Sequence, residues 1–158
     1  MITNEKNKED ILYILQHLRA DDEIEAKTIH GEDYVTKIIE TIFDNDDTFF
    51  LAKNENNIPY AMGGYVKTEE KGAVVIWLLS TDEIVNHRHF ALKKIKEELI
   101  KIEKENWFIY NYIFKNNSLA KIWLKKLGFK FISKELAPND IPQDFELFYK
   151  KRELRGLQ

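Results

Sequence analysis

The sequence lacks cysteine altogether, which excludes disulfides, thiolate catalysis and cysteine-ligated zinc. It contains only three prolines and six glycines, and no stretch has the composition of a flexible or proline-rich linker. The longest apolar run, 73–79, has the length of a strand and falls far short of the ~20 residues of a membrane-spanning helix. Because residues 1–10 are polar and charged, we expect no secretory signal peptide and a soluble, cytoplasmic protein without membrane contact.

An excess of charge of one sign is also missing. The 24 basic and 27 acidic residues are interspersed and give a formal net charge of -3, so no basic face is expected and nucleic acid is excluded as a partner. The length of 158 residues fits one domain spanning residues 1–158. A chain of this size buries roughly 70% of its unfolded surface. Its hydrophobic fraction of 44% can therefore supply a core without a metal or disulfide.

The spacing of apolar residues in the first half predicts helices followed by strands. Residues 11–18 and 34–43 each carry an apolar stripe at helical spacing, and the polar stretch 19–31 between them has only weak signals. Strands are then predicted at 48–52, 59–66 and 73–80, joined by short turns as in an antiparallel meander. The pair Gly63-Gly64 inside the second of these strands indicates a bulge or a close backbone approach.

The second half predicts a crossover and a helix with well-marked ends. A long helix at 86–105 lies between two predominantly apolar strands, 73–80 and 107–114, which is typical of a parallel βαβ unit. A short helix at 118–127 is capped by Asn117 or Ser118 and stopped by Gly128. Strands at 129–136 and 145–151, joined by a loop with Pro138 and Pro142, complete an α/β fold. Its mixed central sheet would be flanked by helices.

This order of elements, with a weak first strand at Ile2-Thr3, resembles the GNAT superfamily of acetyl-CoA-dependent N-acetyltransferases. The segment 117–129 carries an Asn, an Ala and a Gly-Phe pair at the intervals of that superfamily, although a capped helix ended by glycine would look the same. A narrower likeness runs from Tyr60 to Lys150 through scattered matches that include 61–64, 79–82 and 146–148. It resembles the GNAT-like proteins of short-tailed phages, one of which is described as an internal virion protein.

The resemblance implies that acetyl-CoA is the cofactor and that its pyrophosphate lies at the start of the long helix. The residues it assigns to cofactor binding are Leu79, Ser80, Thr81, His87, Arg88 and Asn117. The superfamily uses a glycine-bearing loop there, because glycines allow backbone amides to approach phosphates. The corresponding stretch, 82–90, contains no glycine. Two interpretations stay open: His87, Arg88 and His89 bind phosphate through side chains, or this cluster is merely exposed. No metal site is expected, since the two histidines lack the spacing of paired ligands.

The proton-transfer residues of the superfamily are also incompletely matched. Its usual tyrosine acid lies seven residues after the Asn, and here that position is Leu124. Tyr110 or Tyr112 could substitute, and Asp82 and Glu83 are the candidate catalytic bases at the end of strand 73–80. Three hypotheses follow. The chain is an N-acetyltransferase for a small-molecule amine or a protein amino group, a non-catalytic acyl-CoA binder, or a structural protein that contacts virion proteins in the host cytoplasm or the virion.

Overall fold

A computed structural model describes residues 1–45, 48–132 and 141–152. Within these ranges the chain forms five α-helices, seven strands and a 3₁₀ helix at Asp82–His87. The first half contains β1 (Ile2–Thr3), α1 (Lys8–Gln16), α2 (Ala20–His30), α3 (Tyr34–Asp44), β2 (Phe49–Lys53), β3 (Pro59–Lys67) and β4 (Ala73–Ser80). The second half contains α4 (Arg88–Glu105), β5 (Phe108–Phe114), α5 (Ser118–Lys126), β6 (Lys130–Ile132) and β7 (Phe145–Lys151).

The strands are ordered β1-β2-β3-β4-β5-β7-β6 in one mixed sheet. β4 and β5 pair in parallel, with Ala73 opposite Phe108 and Val75 opposite Tyr110. The registered pairs β1–β2, β2–β3, β5–β7 and β6–β7 are antiparallel. The predicted α/β fold class is thereby confirmed, including the parallel βαβ crossover through α4.

The chain divides into two compact units, and β4 contributes to both. The first unit comprises Met1–Val66 and Trp77–Arg88, and the second comprises Lys67–Ile76 and the chain from His89 onward. Each unit buries apolar side chains of its own.

In the first unit, the helices pack their apolar stripes against the strands. Ile11 and Ile14 of α1 and Ile38 of α3 join Leu51 of β2 and Met62 of β3 in one buried cluster. α1 begins where the Asn7 side chain accepts a hydrogen bond from the Asp10 amide at 3.1 Å. The spacing of these residues was enough to predict α1 and α3, because each helix buries one continuous stripe.

In the second unit, one face of β5 and β7 is buried. Ile109 and Ile113 of β5 are 1% and 2% exposed, and Phe148 of β7 and Leu99 of α4 are buried as well. α5 ends at Gly128, whose φ of 92° lies in the left-handed region that glycine adopts without strain.

The glycine pair in β3 marks a close backbone approach, which confirms one of the two predicted alternatives. A Cβ on Gly64 would lie 2.0 Å from the Thr48 carbonyl oxygen, and one on Gly63 would lie 2.7 Å from the carbonyl oxygen of Trp77. The irregularity in the β2–β3 register falls between Ala52 and Lys53 instead. Bare backbone is therefore required at both glycines.

The structure departs from the prediction at α2 and at the start of the long helix, and it tests one predicted strand only in part. The weak stretch 19–31 forms α2, and the long helix starts at Arg88 because a 3₁₀ helix occupies 82–87. The strand predicted at 129–136 is β6, described as Lys130–Ile132; positions 133–136 and Pro138 lie outside the described residues. No helix in the described part of the chain is long and apolar enough to cross a membrane.

Candidate functional site

The end of β4 is enclosed by other residues of the first unit. Leu79 packs against the apolar cluster of that unit, whereas Ser80 and Thr81 are 2% and 7% exposed. The Thr81 amide donates to the Tyr60 carbonyl oxygen at 2.9 Å, which holds this side of β4 against β3. All three residues assigned to cofactor binding here are thus tied into the packing of the unit.

Ser80 is held on its other side by the first turn of α2 and by the residues just before that helix. Its amide donates to the Asp22 carboxylate at 2.9 Å and its hydroxyl donates to the same oxygen at 3.3 Å. Its carbonyl oxygen accepts from the Arg19 amide at 2.9 Å, and a β-bridge joins Leu18 to Thr81. The Arg19 guanidinium also pairs with Asp22 at 3.1 Å. The amide, carbonyl oxygen and hydroxyl of Ser80 are therefore all hydrogen-bonded to other residues of the chain.

The two candidate bases have different surroundings. Thr81 caps the 3₁₀ helix, since its hydroxyl oxygen accepts from the Glu83 amide at 3.3 Å. Asp82 is exposed and makes no hydrogen bond or ion pair to any described residue. The Glu83 carboxylate is half-buried and accepts from the Asn54 side-chain amide, at 2.9 Å to each oxygen. Of the two, only Glu83 has a fixed orientation.

The position of Glu83 is set by the turn between β2 and β3. The Asn54 side-chain oxygen accepts from the amides of Asn56 and Ile58 at 2.8 and 3.0 Å, which closes the turn. The same side chain then donates to Glu83, so one asparagine links the turn to the carboxylate. This role of Asn54 was not predicted, because the sequence around it indicates only a turn.

Tyr60 lies close enough to Glu83 to be affected by its charge, and His87 stacks on Tyr60. The Tyr60 residue is 1% exposed and its ring stacks on the His87 imidazole, with 4.4 Å between centroids and 23° between planes. Burial raises the pKa of the Tyr60 phenol above its usual value of 10.0, and the Glu83 charge raises the pKa further. No described residue is hydrogen-bonded to the Tyr60 hydroxyl. Glu83, Tyr60 and His87 form a titratable cluster, which we call the β4-end cluster.

The start of α4 presents charge to solvent. Arg88 is exposed, and no described residue forms an ion pair with its guanidinium. His89 is exposed as well, whereas the stacked His87 is half-buried. Since residues 82–90 contain no glycine, a phosphate at this helix start would meet side chains before backbone amides. Arg88 is suited to bind such a group because guanidinium binds phosphate through parallel hydrogen bonds.

Asn117, in the second unit, is fully buried at the start of α5. Its side-chain oxygen accepts from the Ala120 amide at 3.4 Å, and its own amide donates to the Phe114 carbonyl oxygen at 2.9 Å. These contacts are those of a helix cap. The structure therefore gives Asn117 a structural task whether or not it also contacts a ligand.

The parallel backbone pairing of β4 with β5 ends after Tyr110, and a side-chain hydrogen bond joins the two strands at the next position. The Asn111 side-chain amide donates to the Ile76 carbonyl oxygen at 2.7 Å, in the place of a backbone donor. Tyr110 contacts Tyr112 edge-on, at 6.4 Å between centroids, and both side chains are half-buried. The two candidate substitute acids thus belong to an aromatic row on the second unit.

A groove of about 420 Å³ lies in the second unit, at the last turn of α4. Lys150 pairs with the Glu103 carboxylate at 2.6 Å and donates to the Leu127 carbonyl oxygen at 2.9 Å. Arg152 donates to the carbonyl oxygens of Glu103 and Lys104 at 3.3 and 3.2 Å. Because these cations already satisfy the carbonyl ends of two helices, the groove is a structural junction.

Among the described residues, no group of three potential metal-ligating side chains lies together. The β4-end cluster brings a carboxylate, a phenol and an imidazole together at the end of β4, and these are side chains of the kind that transfer protons.

Comparison with solved structures places this architecture among acetyltransferases. The chain is similar to an acetyltransferase of the GNAT family from Staphylococcus aureus, with 17% identity, a TM-score of 0.69, and coverage of 96% of this chain and 98% of that chain. It is also similar to the Vibrio cholerae spermidine N-acetyltransferase in complex with CoA and spermine, at 14% identity, a TM-score of 0.66, and coverage of 96% and 94%.

A phosphinothricin acetyltransferase of the GNAT superfamily from Sinorhizobium meliloti, in complex with AcCoA, is 11% identical with a TM-score of 0.68, and coverage is 96% of this chain and 87% of that chain. No protein-family model and no curated protein matches the sequence. The GNAT fold predicted from element order is confirmed, because such structures match over nearly the whole chain. Identities below 20% establish the fold alone.

Proposed function

We propose that the chain is an acyl-CoA N-acetyltransferase-like protein that acetylates a small-molecule amine or a protein amino group. The observation that carries this proposal is the fold, which matches GNAT acetyltransferases over 96% of the chain. The β4-end cluster supports it, since titratable groups lie at the carboxyl end of a parallel strand, where α/β sheets commonly bind ligands.

The proposed roles follow from the contacts of each residue. Glu83 would accept a proton from the ammonium of the acceptor and so leave the amine free as the nucleophile; Asp82 is the alternative base. Bound acetyl-CoA would supply the activated acetyl group, with CoA as the leaving group. Arg88 binds phosphate charge at the start of α4, with His87 beside it, and Leu79, Ser80 and Thr81 shape the backbone at the end of β4. Asn117, in the second unit, holds the backbone at the start of α5.

The substrate class is proposed by analogy with the neighbours. One of them is a spermidine N-acetyltransferase crystallised with spermine, and another is an aminoglycoside 6'-acetyltransferase. Both names denote polycationic amines. We therefore place polyamines and aminoglycosides first among the acceptors to test, followed by peptide N-termini.

We propose further that turnover is slow and that the chain is phage-encoded. The glycine-free stretch 82–90 weakens the phosphate cradle, and Leu124 replaces the usual tyrosine acid. The loss of a positioned acid alone removes about 10²- to 10⁴-fold in rate. The phage origin is supported only by the scattered sequence likeness between Tyr60 and Lys150.

A second candidate is a structural protein of the virion that reuses the fold for contacts with other virion proteins. The engagement of Ser80 by Asp22 and Arg19 and the complete burial of Asn117 favour it, because both residues already serve the fold. This protein would need no turnover at all.

Release of free CoA, measured over the acceptor panel, tests the proposal. We expect slow but acceptor-dependent release, reduced about 100-fold by Glu83→Gln if Glu83 is the base. Asp82→Asn serves as the paired variant, because Asp82 lies next to Glu83 without its fixed contacts. Acceptor-dependent release abolished by Asp82→Asn alone would assign the base to Asp82. Complete absence of release at saturating acetyl-CoA would contradict the enzyme and favour the structural protein.

A further inference from the structure

α2 is held by unusually little apolar surface. Its buried residues are Asp22 and Ala26, and the structure describes every residue of the helix. The two isoleucines of the helix, Ile24 and Ile29, are 40% and 47% exposed. Helices in proteins derive most of their stability from packing an apolar face, so α2 depends on other contacts to stay in place.

Polar contacts hold this helix to the end of β4. The Asp22 carboxylate accepts from the amide and hydroxyl of Ser80, and the Arg19 amide donates to the Ser80 carbonyl oxygen. Arg19 also pairs with Asp22 at 3.1 Å, with side-chain exposures of 13% and 6%. Hydrogen bonds to a charged group in a site that excludes water are stronger than neutral ones. The charged contacts of Arg19 and Asp22 therefore hold α2 in place more than its apolar side chains do.

We propose that α2 acts as a latch, which closes over the end of β4 and controls ligand access there. The contacts of Arg19 and Asp22 with Ser80, which we call the clasp, keep the latch closed. Closed, the latch leaves Ser80 2% exposed. Open, it frees one amide donor, one carbonyl acceptor and one hydroxyl at the end of a strand.

The latch has a thermodynamic consequence for binding. A ligand that binds only the open form loses apparent affinity in proportion to the fraction of closed molecules. Weakening the clasp raises the open fraction and therefore tightens binding. Where the ligand is acetyl-CoA, this consequence rests on the proposed function, whereas the opening of α2 does not.

Hydrogen–deuterium exchange of the full chain tests the latch itself. We expect the amides of α2 to exchange faster than those of α3, and Asp22→Ala to accelerate exchange in α2 and around Ser80 by at least about tenfold. Asp22→Asn, which keeps an acceptor but loses the charge, should give a smaller acceleration and carries the test if the alanine variant does not fold. Glu23→Gln is the control, since Glu23 pairs with Lys27 on the surface of the same helix. Exchange of α2 as slow as that of α3, or exchange near Ser80 unchanged in both Asp22 variants, would overturn the latch.

Calorimetric titration of the same variants with acetyl-CoA tests the gating. We expect binding about tenfold tighter for Asp22→Ala than for the wild type and unchanged binding for Glu23→Gln. Faster exchange with unchanged or weaker binding would overturn the gating while leaving the proposed function intact. Absence of binding in every variant, with the predicted exchange, would contradict the proposed function and support α2 opening as a motion of the fold.

Discussion

Polar residues around the ends of β4 and β5 divide into those that serve the fold and those that face solvent. Ser80, Thr81 and Asn117 are buried and hydrogen-bonded inside their units, whereas Asp82 and Arg88 are exposed. Glu83 lies between these extremes, because Asn54 holds it and solvent still reaches it. Ligand chemistry is therefore expected from Asp82, Glu83 and Arg88, whereas the buried residues are expected to maintain the fold of their own units.

Replacing Asn117 tests whether this buried residue stabilises the fold. We expect Asn117→Ala to lower the free energy of unfolding by roughly 1 kcal/mol or more, because it removes the cap of α5 from a fully buried site. Chemical denaturation measures the change. Asn116→Ala, an identical substitution at the exposed neighbouring position, is the control and should be nearly neutral. Equal stability of the two variants would contradict the capping role.

The coupling between Glu83 and Tyr60 is open to a direct titration. Burial is the larger cause of the raised Tyr60 pKa and the Glu83 charge is the smaller. We therefore expect Glu83→Gln to lower the Tyr60 pKa while leaving it above 10.0. The ultraviolet absorbance of tyrosinate gives the pKa, and Tyr60→Phe identifies the signal that belongs to this residue. An unchanged Tyr60 pKa in Glu83→Gln would show that the two groups do not interact.

The raised pKa also fixes the sign of a stability change at high pH. The unfolded chain releases the Tyr60 proton near pH 10, before the folded protein does. The stabilising contribution is complete below that pH and is lost as pH rises from about 10 through the folded pKa. Tyr60→Phe should therefore show a smaller loss of stability than the wild type once the pH exceeds about 10.

At the scale of elements, the meander depends on bare backbone in β3. We expect Gly64→Ala to destabilise the protein by about 3 kcal/mol, because the added Cβ meets the Thr48 carbonyl oxygen at 2.0 Å and backbone cannot rotate away. Gly63→Ala, with its nearest atom at 2.7 Å, should cost less. Thermal unfolding of the two variants measures the order. A fully stable Gly64→Ala variant would contradict the close approach.

Most elements were predictable where one physical signal dominated. The apolar runs of β4 and β5 and the capped, glycine-ended helix α5 were each located to within a residue or two. α2 was missed because its apolar residues form no stripe: Ile24 and Ile29 are exposed, and Asp22 is among the buried residues. Its formation depends on tertiary contacts with Ser80, which sequence periodicity does not contain.

The candidate site was predictable only in outline. Asp82 and Glu83 were predicted as catalytic bases because they follow a central strand. The sequence also shows directly that residues 82–90 contain no glycine. Tyr60, Asn54 and Asp22 were not identified, because each reaches the end of β4 from a different element. Tyr60 lies 21 residues before Thr81 in the chain, and Asp22 lies 58 residues before Ser80. Such long-range contacts leave no local pattern in one sequence.

At the scale of the whole molecule, fold and chemistry have to be judged separately. The architecture matches acetyltransferases over nearly its full length, with TM-scores of 0.66 to 0.69 for the structures compared. The glycine-rich cradle and tyrosine acid implied by the resemblance have no counterparts at 82–90 and Leu124. A fold supports many functions, and only its site determines which one is used. We therefore propose that this fold still binds acetyl-CoA, weakly, through the charge of Arg88.

Calorimetric titration with acetyl-CoA at low and high salt tests that claim most directly. We predict weak binding by the wild type that weakens further with salt, and a loss of about tenfold in affinity for Arg88→Ala, since a guanidinium–phosphate contact supplies the attraction. Lys93→Ala is the matched control, because Lys93 is exposed on the same helix and contacts no described residue through hydrogen bonds or ion pairs. No detectable binding at either salt concentration, or identical affinity in wild type and Arg88→Ala, would contradict the account.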